Sequence, residues 1–542
     1  MRRNDIPILL TAALVFADAT IVTLALPNLL VDLNTSVYGV AAVLAVYTAV
    51  LGCTALVAPR LLRAGSYAGI GVGALCLFSL ACVGCALADG IAVLLVSRGV
   101  QGFAGALVLT VAGAALAPPR RTGRAWVSIA VLSAALGPVV GGALTQAFSW
   151  RAIFVAQAPV PLIAAVLWRT WSEVPPLTAR LPRPKARPVV VLGLVSGALT
   201  ALLFGVVLLL VVGWAMRPLS AALAVTLVPI AALAGLLVRG DVQTRVVAGC
   251  ALIGGGIGAL AFLPTNNVGW LVVPECVAGL GMGMALTPLI ENMLPERSAG
   301  NRAVNLAVRH LGVTLALVAL APVIAHDLDA ATERAKLRTV AVVLDAPIGP
   351  GEKLRIAPVL VSSVHSDRPL AAVRSDAPKA RAEVSEEDRP LFDAMFDRVE
   401  TVFVAAASDA FHRAFLIAAA LAFVAAFLLV VDARRVALAA IAGGFAIIGA
   451  QAVADHFAAP QPVAISNPCN SRKLPNSGGL GGLVQVLALR AVDVTACRLH
   501  TSREELVLAL ADKSEAKRFR ERHGFSPQSL EGLLRLITAS KN

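Results

Sequence analysis

Long apolar runs alternate with short polar connections along most of this chain. Thirteen runs hold 18 or more residues, the length that an α-helix needs to cross the hydrocarbon core of a bilayer. The pattern therefore predicts thirteen transmembrane helices, near residues 6–30, 37–58, 67–88, 91–117, 125–147, 150–170, 189–215, 219–238, 246–264, 269–290, 303–325, 413–431 and 436–454.

Two polar segments interrupt this pattern. Residues 326–412 separate helices 11 and 12 and contain strand-like runs at 339–345 and 356–364, and residues 455–542 follow helix 13. The pattern thus predicts an N-terminal six-helix bundle, a linker, helices 7–11, an inserted soluble segment, helices 12 and 13, and a C-terminal soluble domain, with bounds at 1–170, 171–188, 189–325, 326–412, 413–454 and 455–542.

The C-terminal domain shows helix signals of its own. Ser502 followed by Glu505 is a capping-box pattern that predicts a helix over 503–523, which Gly524 ends. A further helix is expected from Ser526-Pro527 to about residue 539.

The composition agrees with a membrane protein. Apolar residues make up 58% and charged residues 15% of the chain, against roughly 45–50% and 25% in soluble domains. A mean hydropathy of +0.80 over 542 residues excludes a cytosolic enzyme, a disordered protein and a receptor with a single anchor. The fold class that follows is an all-α polytopic membrane protein.

The net charge of +13 is arranged as a topology signal. Clusters of Arg fall in alternate connections, so the positive-inside rule places the N-terminus in the cytoplasm and both soluble segments outside. The first span contains Asp18 and no cleavage site, which indicates a retained helix rather than a signal peptide. Because no basic segment carries a stacking aromatic run, a nucleic-acid partner is not expected. The preference for Arg over Lys suggests a bacterial protein of the inner (cell) membrane.

The cysteines predict one disulfide. Six of eight lie within predicted helices, whereas Cys469 and Cys497 both lie in the C-terminal segment, where an isolated pair in an oxidising compartment indicates a bridge. Neither CxxC nor HxxxH spacing accompanies them, so no metal is expected. We expect no cofactor, no ATP-driven pump, since GxxxxGK[ST] is absent, and no enzyme, since no catalytic constellation is visible.

Three ionisable residues within the spans are candidates for function. Asp18 lies halfway along helix 1, Arg98 about a third of the way along helix 4 beside Gln101, and Glu275 within helix 10. Charges at such depths are costly unless they are paired or hydrated, so intramembrane ionisable residues are functional candidates. Glu275 is expected to be a second protonation site or a binding group for a cationic substrate; the alternative is a helix-end carboxylate that reaches the interface.

Helix 5 contains the run 137-GPVVGG-142. Glycines at this spacing allow a neighbouring backbone to approach closely, and proline distorts the helix locally. The run therefore predicts a close, sliding helix contact built by Gly137, Pro138, Gly141 and Gly142.

These motifs resemble the major facilitator superfamily, and within it the drug:proton antiporters of the fourteen-helix type. The similar segments are 16-FADATIVTLALP-27, 98-RGVQG-102, GPVVGG followed by 150-WRAIFVAQAPV-160, 279-GLGMGMALTP-288 and 305-NLAVRHLGVTLA-316. The resemblance implies two pseudo-symmetric six-helix bundles around a central cavity, with proton coupling at Asp18 and Arg98.

The expected lining of that cavity includes polar residues from both halves. Arg309 matches an Arg that the family often has, and His310 is expected to be either a hydrogen-bonded packing residue or a proton relay. The remaining predicted lining residues are Tyr47, Gln101, Gln146 and Gln157.

The chain also departs from the family pattern. The resemblance implies that the loop after helix 2 takes part in gating, and it keeps Arg63 and Gly65. Leu62, however, stands where the family has an acid that helps to latch one conformation. The two extra central helices are missing, because only residues 171–188 separate the halves. We therefore expect twelve core helices plus one.

The function expected is proton-coupled export of hydrophobic or amphipathic small molecules by alternating access. Its partners would be membrane lipids, a small lipophilic substrate and protons. One alternative is an exporter of a lipid or cell-envelope precursor whose outer segments pass the cargo to an envelope partner. Another is a non-transporting scaffold or receptor on the same fold.

Overall fold

A computed structural model describes most of the chain, namely residues 6–62, 67–115, 122–168, 185–293, 299–364, 369–430, 434–529 and 531–532. Across those ranges the regular elements are helices and no strand occurs, which confirms the all-α prediction. The chain divides into two compact units. The membrane unit comprises Met1–Val212, Met216–Asp327 and Phe411–Ala459, and the second unit comprises Gly213–Ala215, Leu328–Ala410 and Pro460–Asn542.

The helices follow one another with short connections. In chain order they are α1 Ile6–Thr23, α2 Leu26–Asp32, α3 Val37–Leu61, α4 Tyr67–Ala86, α5 Ile91–Ala115, α6 Thr122–Ala147, α7 Arg151–Gln157, α8 Pro159–Trp168, α9 Ala186–Leu208, α10 Pro218–Val225, α11 Leu227–Leu237, α12 Val242–Ala259, α13 Gly269–Pro288, α14 Ala299–Asp345, α15 Pro350–Val364, α16 Pro369–Ala382, α17 Arg389–Phe427, α18 Arg434–Ala458, α19 Gly479–Arg498, α20 Arg503–Ala511 and α21 Lys513–His523. Two π-helical turns, Leu209–Gly213 and Leu289–Met293, extend α9 and α13.

Within the described ranges, eleven helices are long and apolar enough to cross a membrane. A twelfth is formed by α1 and α2 together, although the chain bends by 57° between them. Pro27 and Pro159 lie in the first turns of α2 and α8, where the missing amide proton is tolerated but an unbroken helix would lose a hydrogen bond. The twelve include α19, which lies in the predicted C-terminal soluble domain. They do not include the predicted spans 125–147 and 150–170, which fall on α6 and on the pair α7–α8.

The predicted strand-like runs in the inserted segment are wrong. Residues 339–345 belong to α14, which continues without a break for 47 residues, and residues 356–364 belong to α15. Extending an existing helix adds one hydrogen bond for each residue fixed, whereas a separate strand would first need a pairing partner. The β-branched residues are accommodated because Thr339 and Val342 are buried on one side of α14.

The C-terminal part of the second unit also differs from prediction. The helix expected over 503–523 is two helices, because the Asp512 carboxylate accepts hydrogen bonds from the backbone N–H groups of Ser514 and Glu515 and so begins α21. The other signals hold: Ser502 Oγ accepts from the Glu505 N–H at 3.1 Å, and Gly524 ends α21 in the left-handed conformation. The helix expected beyond Pro527 falls largely outside the described residues.

The predicted disulfide between Cys469 and Cys497 is confirmed. Their Cα atoms are 4.9 Å apart, and the bridge joins the segment before α19 to the last turn of that helix. Arg472, three residues after the first cysteine, forms an ion pair with Asp493 of α19. The segment is thus fastened to α19 by one covalent and one ionic contact.

Candidate functional site

A buried ion pair joins α1 to α5. Asp18 Oδ2 lies 2.5 Å from Arg98 Nη1, and neither side chain is exposed. Gln101, one turn after Arg98, donates from Nε2 to Asp18 Oδ1 at 3.0 Å and accepts from Arg98 Nη1 at 2.6 Å. Both carboxylate oxygens of Asp18 therefore accept a hydrogen bond. The structure brings Asp18 and Arg98 into contact, although the sequence places one halfway along its helix and the other about a third of the way along.

The guanidinium group of Arg98 is also held by α3. Its Nε donates to the Val43 carbonyl at 3.3 Å, and its Cζ lies 4.2 Å from the centroid of the Tyr47 ring. Tyr47 is itself fixed, because its hydroxyl donates to the Val15 carbonyl of α1 at 2.9 Å. Ion pairing, hydrogen bonding and a cation–π contact together compensate for burial of this charge. The sequence pattern gave no signal for the Val43 carbonyl.

Helix spacing and one glycine explain why this cluster forms. Arg98 and Gln101 are three residues apart and so lie on the same face of α5. Gly102 follows them at the point where α5 meets α3: a Cβ atom there would lie 2.4 Å from the Tyr47 carbonyl oxygen. The absence of a side chain lets the two backbones approach closely enough for Arg98 to reach Tyr47.

The glycines of α6 pack against α1, the helix that carries Asp18. A Cβ atom at Gly141 would lie 2.2 Å from the Ile21 carbonyl oxygen, and one at Gly137 would lie 2.1 Å from Thr20 Oγ1. Gly137 and Gly141 are one turn apart, so together they leave a groove without side chains against which α1 packs closely.

The third glycine of the run points to another neighbour. A Cβ atom at Gly142 would lie 2.8 Å from the Ala222 Cβ of α10, and Pro138 is buried within α6. The run thus contacts helices on both sides, one from each half of the fold. Arg63 and Gly65, which were expected to take part in gating, lie outside the described residues.

A cavity of about 170 Å³ lies between the halves of the membrane unit. Its walls are mainly aliphatic, with contributions from α1 and α3 and from the later helices α9, α10, α11, α13 and α14. The side chains that could make polar contacts with an occupant are Thr20, Thr23, Thr48, Ser196, Thr200, Glu275, Arg309 and His310.

Glu275 of α13 is the acid in this wall. Its side chain is fully buried, so it does not reach the membrane interface. Neither of its carboxylate oxygens has a hydrogen-bond partner among the residues that the structure describes. A buried carboxylate in this state needs a proton, a cation or a donor from an occupant of the cavity.

Arg309 and His310 of α14 line the same cavity. The Arg309 guanidinium lies 5.4 Å from the centroid of the Phe16 ring of α1. His310 Nδ1 lies 2.8 Å from the Leu306 carbonyl oxygen, one turn earlier on its own helix. Such a contact orients the ring, with Nδ1 carrying the proton in the neutral form.

Three other residues predicted to line the cavity lie elsewhere. Tyr47 and Gln101 contact Arg98, and Gln157 Oε1 lies 3.4 Å from Gln101 Nε2, so all three belong to the ion-pair cluster. The sequence shows that a polar residue is inside a helix, but the side on which it points depends on how the helices pack.

Gln146 also lies away from the cavity. It is exposed near the end of α6, where its Oε1 accepts a hydrogen bond from the Leu219 N–H at 3.2 Å. This contact joins α6 to α10 at the same pair of helices that Gly142 brings together.

Comparison with known proteins identifies the family. The model for the Major Facilitator Superfamily matches residues 8–325, which is more than half of the chain. The chain belongs to the Major Facilitator Superfamily. It is therefore a multi-pass membrane protein of a transporter family and not an enzyme.

Two relatives with known names match a shorter segment of this chain. Multidrug resistance protein Stp of Mycobacterium tuberculosis is 32% identical over 172 residues, which cover 30% of this chain and 31% of the relative. Drug efflux pump JefA of the same species is 31% identical over 166 residues, which cover 29% of this chain and 31% of the relative. The matched segment thus spans about a third of the length of each.

A solved structure shares the fold at low sequence identity. It is a bacterial homolog of the human lysosomal transporter Spinster, in an inward-facing and occupied conformation. The TM-score is 0.50 at 18% identity, and the match covers 78% of this chain and 96% of that one. At this identity the likeness supports the fold alone.

Proposed function

We propose that this protein exports hydrophobic or amphipathic small molecules across the inner membrane by alternating access, and that proton movement drives the export. The observation that carries the proposal is the buried cluster of Asp18, Arg98 and Gln101 on helices adjoining an apolar cavity. The printed names of the relatives, a multidrug resistance protein and a drug efflux pump, support the same class of cargo.

The coupling uses α1 as the connecting element. Deprotonated Asp18 holds α1 against α5 through Arg98. A proton that binds the carboxylate cancels its charge and so removes most of the attraction to the guanidinium. Because Phe16, Thr20 and Thr23 of the same helix line the cavity, a shift of α1 changes the shape of the cavity. When Arg98 pairs with Asp18 again, the proton is released.

Glu275 determines which kind of substrate the cavity binds preferentially. Its uncompensated carboxylate favours either a cationic group on the substrate or a second proton. The surrounding aliphatic walls favour an apolar body on the same molecule. Both properties suit lipophilic cations better than sugars or inorganic ions.

Transport in reconstituted vesicles tests the proposal. With an imposed pH gradient, wild-type protein should accumulate ethidium, a lipophilic cation, against its concentration gradient. Asp18→Asn should abolish this uphill accumulation but retain downhill exchange. Thr110→Val is the matched control, because Thr110 is a buried hydroxyl of α5 that bonds only to the Ala106 carbonyl of its own helix among the contacts described.

Two results would contradict the proposal. Accumulation by Asp18→Asn at the wild-type rate would place the proton elsewhere, with Glu275 the next candidate. Failure of the wild-type protein to move any lipophilic compound would favour the scaffold alternative.

The orientation is part of the proposal. The charge pattern supports a cytoplasmic N-terminus and outward-facing segments 326–412 and 455–542. Cysteine introduced at Ser385 or Ser514, both exposed, should react with a membrane-impermeant maleimide in intact cells. Labelling of either position only after permeabilisation would reverse that part of the topology. Unsubstituted protein controls for the native thiols.

The second unit favours a second candidate function, the export of a lipid or cell-envelope precursor. Apart from Gly213–Ala215, its residues lie beyond the matched family region, and they form a compact body with a hydrophobic core of its own built around Phe519 and Phe525. Cells that lack the protein should then accumulate the precursor, which mass spectrometry of their lipids would detect. Unchanged envelope lipids would favour the drug-export proposal.

A further inference from the structure

One face of α19 in the second unit carries a continuous stripe of exposed aliphatic side chains. Leu480 is 84% exposed and Leu487 is 58% exposed. At 3.6 residues per turn the stripe covers an arc of about 100° and runs for about 21 Å along the helix. Its members are Leu480, Leu483, Val484, Leu487, Ala491 and Val494.

The opposite face of α19 is the packed one. Leu489 and Ala496 are buried, and Asp493 forms its ion pair with Arg472 there. On the same side, Gln485 Nε2 donates to the Ala346 carbonyl at 3.5 Å. By length and composition α19 qualifies as a membrane-spanning helix, but a spanning position would take this ion pair into hydrocarbon. The helix is therefore amphipathic: one face packs against the protein, and the other face is aliphatic and exposed.

The charges around the stripe match an anionic lipid surface. Arg490 is exposed at the edge of the stripe, where its long side chain can keep its charge among headgroups while its methylene groups stay near the aliphatic residues. The segment from 460 to 542 holds twelve basic and seven acidic residues. An excess of positive charge attracts anionic lipids over distances near the Debye length.

Chain connectivity keeps α19 close to the bilayer. α18 ends at Ala458, and only twenty residues separate it from Gly479 at the start of α19. In addition, α14 and α17 each run from the membrane unit into the second unit without a break. The second unit is therefore covalently connected to membrane-embedded helices through α14, through α17 and through the segment after α18, which raises the effective concentration of bilayer around α19.

We propose that α19 lies flat on the membrane surface, with its aliphatic stripe in the headgroup boundary of a bilayer that contains anionic lipid. The inference goes beyond the transport function, because it holds whatever the substrate is. It also holds for either side of the membrane.

Site-specific photocrosslinking tests the proposal in the full-length protein. p-Benzoylphenylalanine replaces Leu487, whose exposed side chain contributes little to packing, and the protein is reconstituted in vesicles of phosphatidylcholine and phosphatidylglycerol. After irradiation, mass spectrometry should find phospholipid adducts at position 487. The matched control carries the same probe at Glu521, an exposed polar position of α21, and should give none.

The charge contribution is measured with a second substitution. Arg490→Gln should reduce the adduct yield in vesicles with phosphatidylglycerol by up to about five-fold, which corresponds to about 1 kcal/mol for one basic side chain near an anionic surface. In pure phosphatidylcholine the same substitution should have little effect.

Three outcomes would overturn the proposal. Adducts between two copies of the chain would make the stripe a protein interface, and adducts to residues 530–542 would show that the chain covers it itself. Absence of any adduct at position 487 would mean that the stripe faces water. None of these outcomes affects ethidium transport, so the two proposals fail separately.

Discussion

Phe16 and Asp18 lie two residues apart on α1 and point to nearly opposite sides of that helix. Phe16 lines the cavity and lies under the Arg309 guanidinium, whereas Asp18 bonds to Arg98 and Gln101 on the other side. A single rigid helix thus connects the ionisable cluster to the cavity wall. Proton binding on one side and substrate binding on the other can influence each other through displacement of this helix.

The ion pair should show strong energetic coupling. Arg98→Ala leaves the Asp18 carboxylate buried without its counter-charge, a change that typically costs about 3–5 kcal/mol. The double variant Asp18→Asn/Arg98→Ala removes both charges and should melt at a higher temperature than Arg98→Ala alone. Thermal unfolding in detergent measures this. Additive losses in the double variant would show that the contact is energetically unimportant.

Gly141→Ala should damage the contact between α6 and α1. The new Cβ would lie 2.2 Å from the Ile21 carbonyl oxygen, so the helices must separate. Overpacking of this kind typically costs about 1–3 kcal/mol. Gly449→Ala in α18 is the matched control, because no described residue, apart from the nearby backbone of α18 itself, has an atom within 4 Å of its Cβ position. It should be neutral or slightly stabilising, by about 0.5–1 kcal/mol, since alanine favours helix. Equal effects of the two substitutions would contradict the close contact.

Glu275→Gln should change selectivity more than capacity. The amide keeps the shape of the side chain but removes the charge, so the affinity for ethidium should fall about ten-fold, equivalent to about 1.4 kcal/mol. Transport of Nile red, a neutral lipophilic dye, should be retained. Ser196→Ala, which alters another polar group of the cavity, serves as the control. If both dyes lose transport together, Glu275 acts in proton coupling rather than in cation binding.

Loss of the disulfide should loosen the second unit alone. The bridge between Cys469 and Cys497 spans 28 residues, and a loop of this size corresponds to roughly 3–4 kcal/mol in the chain-entropy model. Cys469→Ser should make the segment before α19 sensitive to limited proteolysis while ethidium transport persists. Cys53→Ser, which removes an unpaired thiol, provides the comparison. Unchanged protease resistance would indicate that the Arg472–Asp493 ion pair suffices.

The sequence alone determined the membrane class, the helical character of most predicted spans and the disulfide, and it singled out Asp18, Arg98 and Glu275 as candidates. These follow from local quantities: the length of apolar runs, the spacing of cysteines and the cost of placing a charge in hydrocarbon. Turn and cap signals such as Ser502 and Gly524 are local too, and they were predictable for the same reason.

Only the tertiary structure decided which side each polar residue faces. Tyr47 and Gln157 join the Arg98 cluster rather than the cavity, and Gln146 reaches the backbone of α10. Every face of a helix inside a membrane is apolar enough to be buried or to contact lipid, so the periodicity that orients helices in soluble proteins is weak here. The direction of a side chain is then set by close contacts such as those at Gly102 and Gly141, which involve residues far apart in the chain.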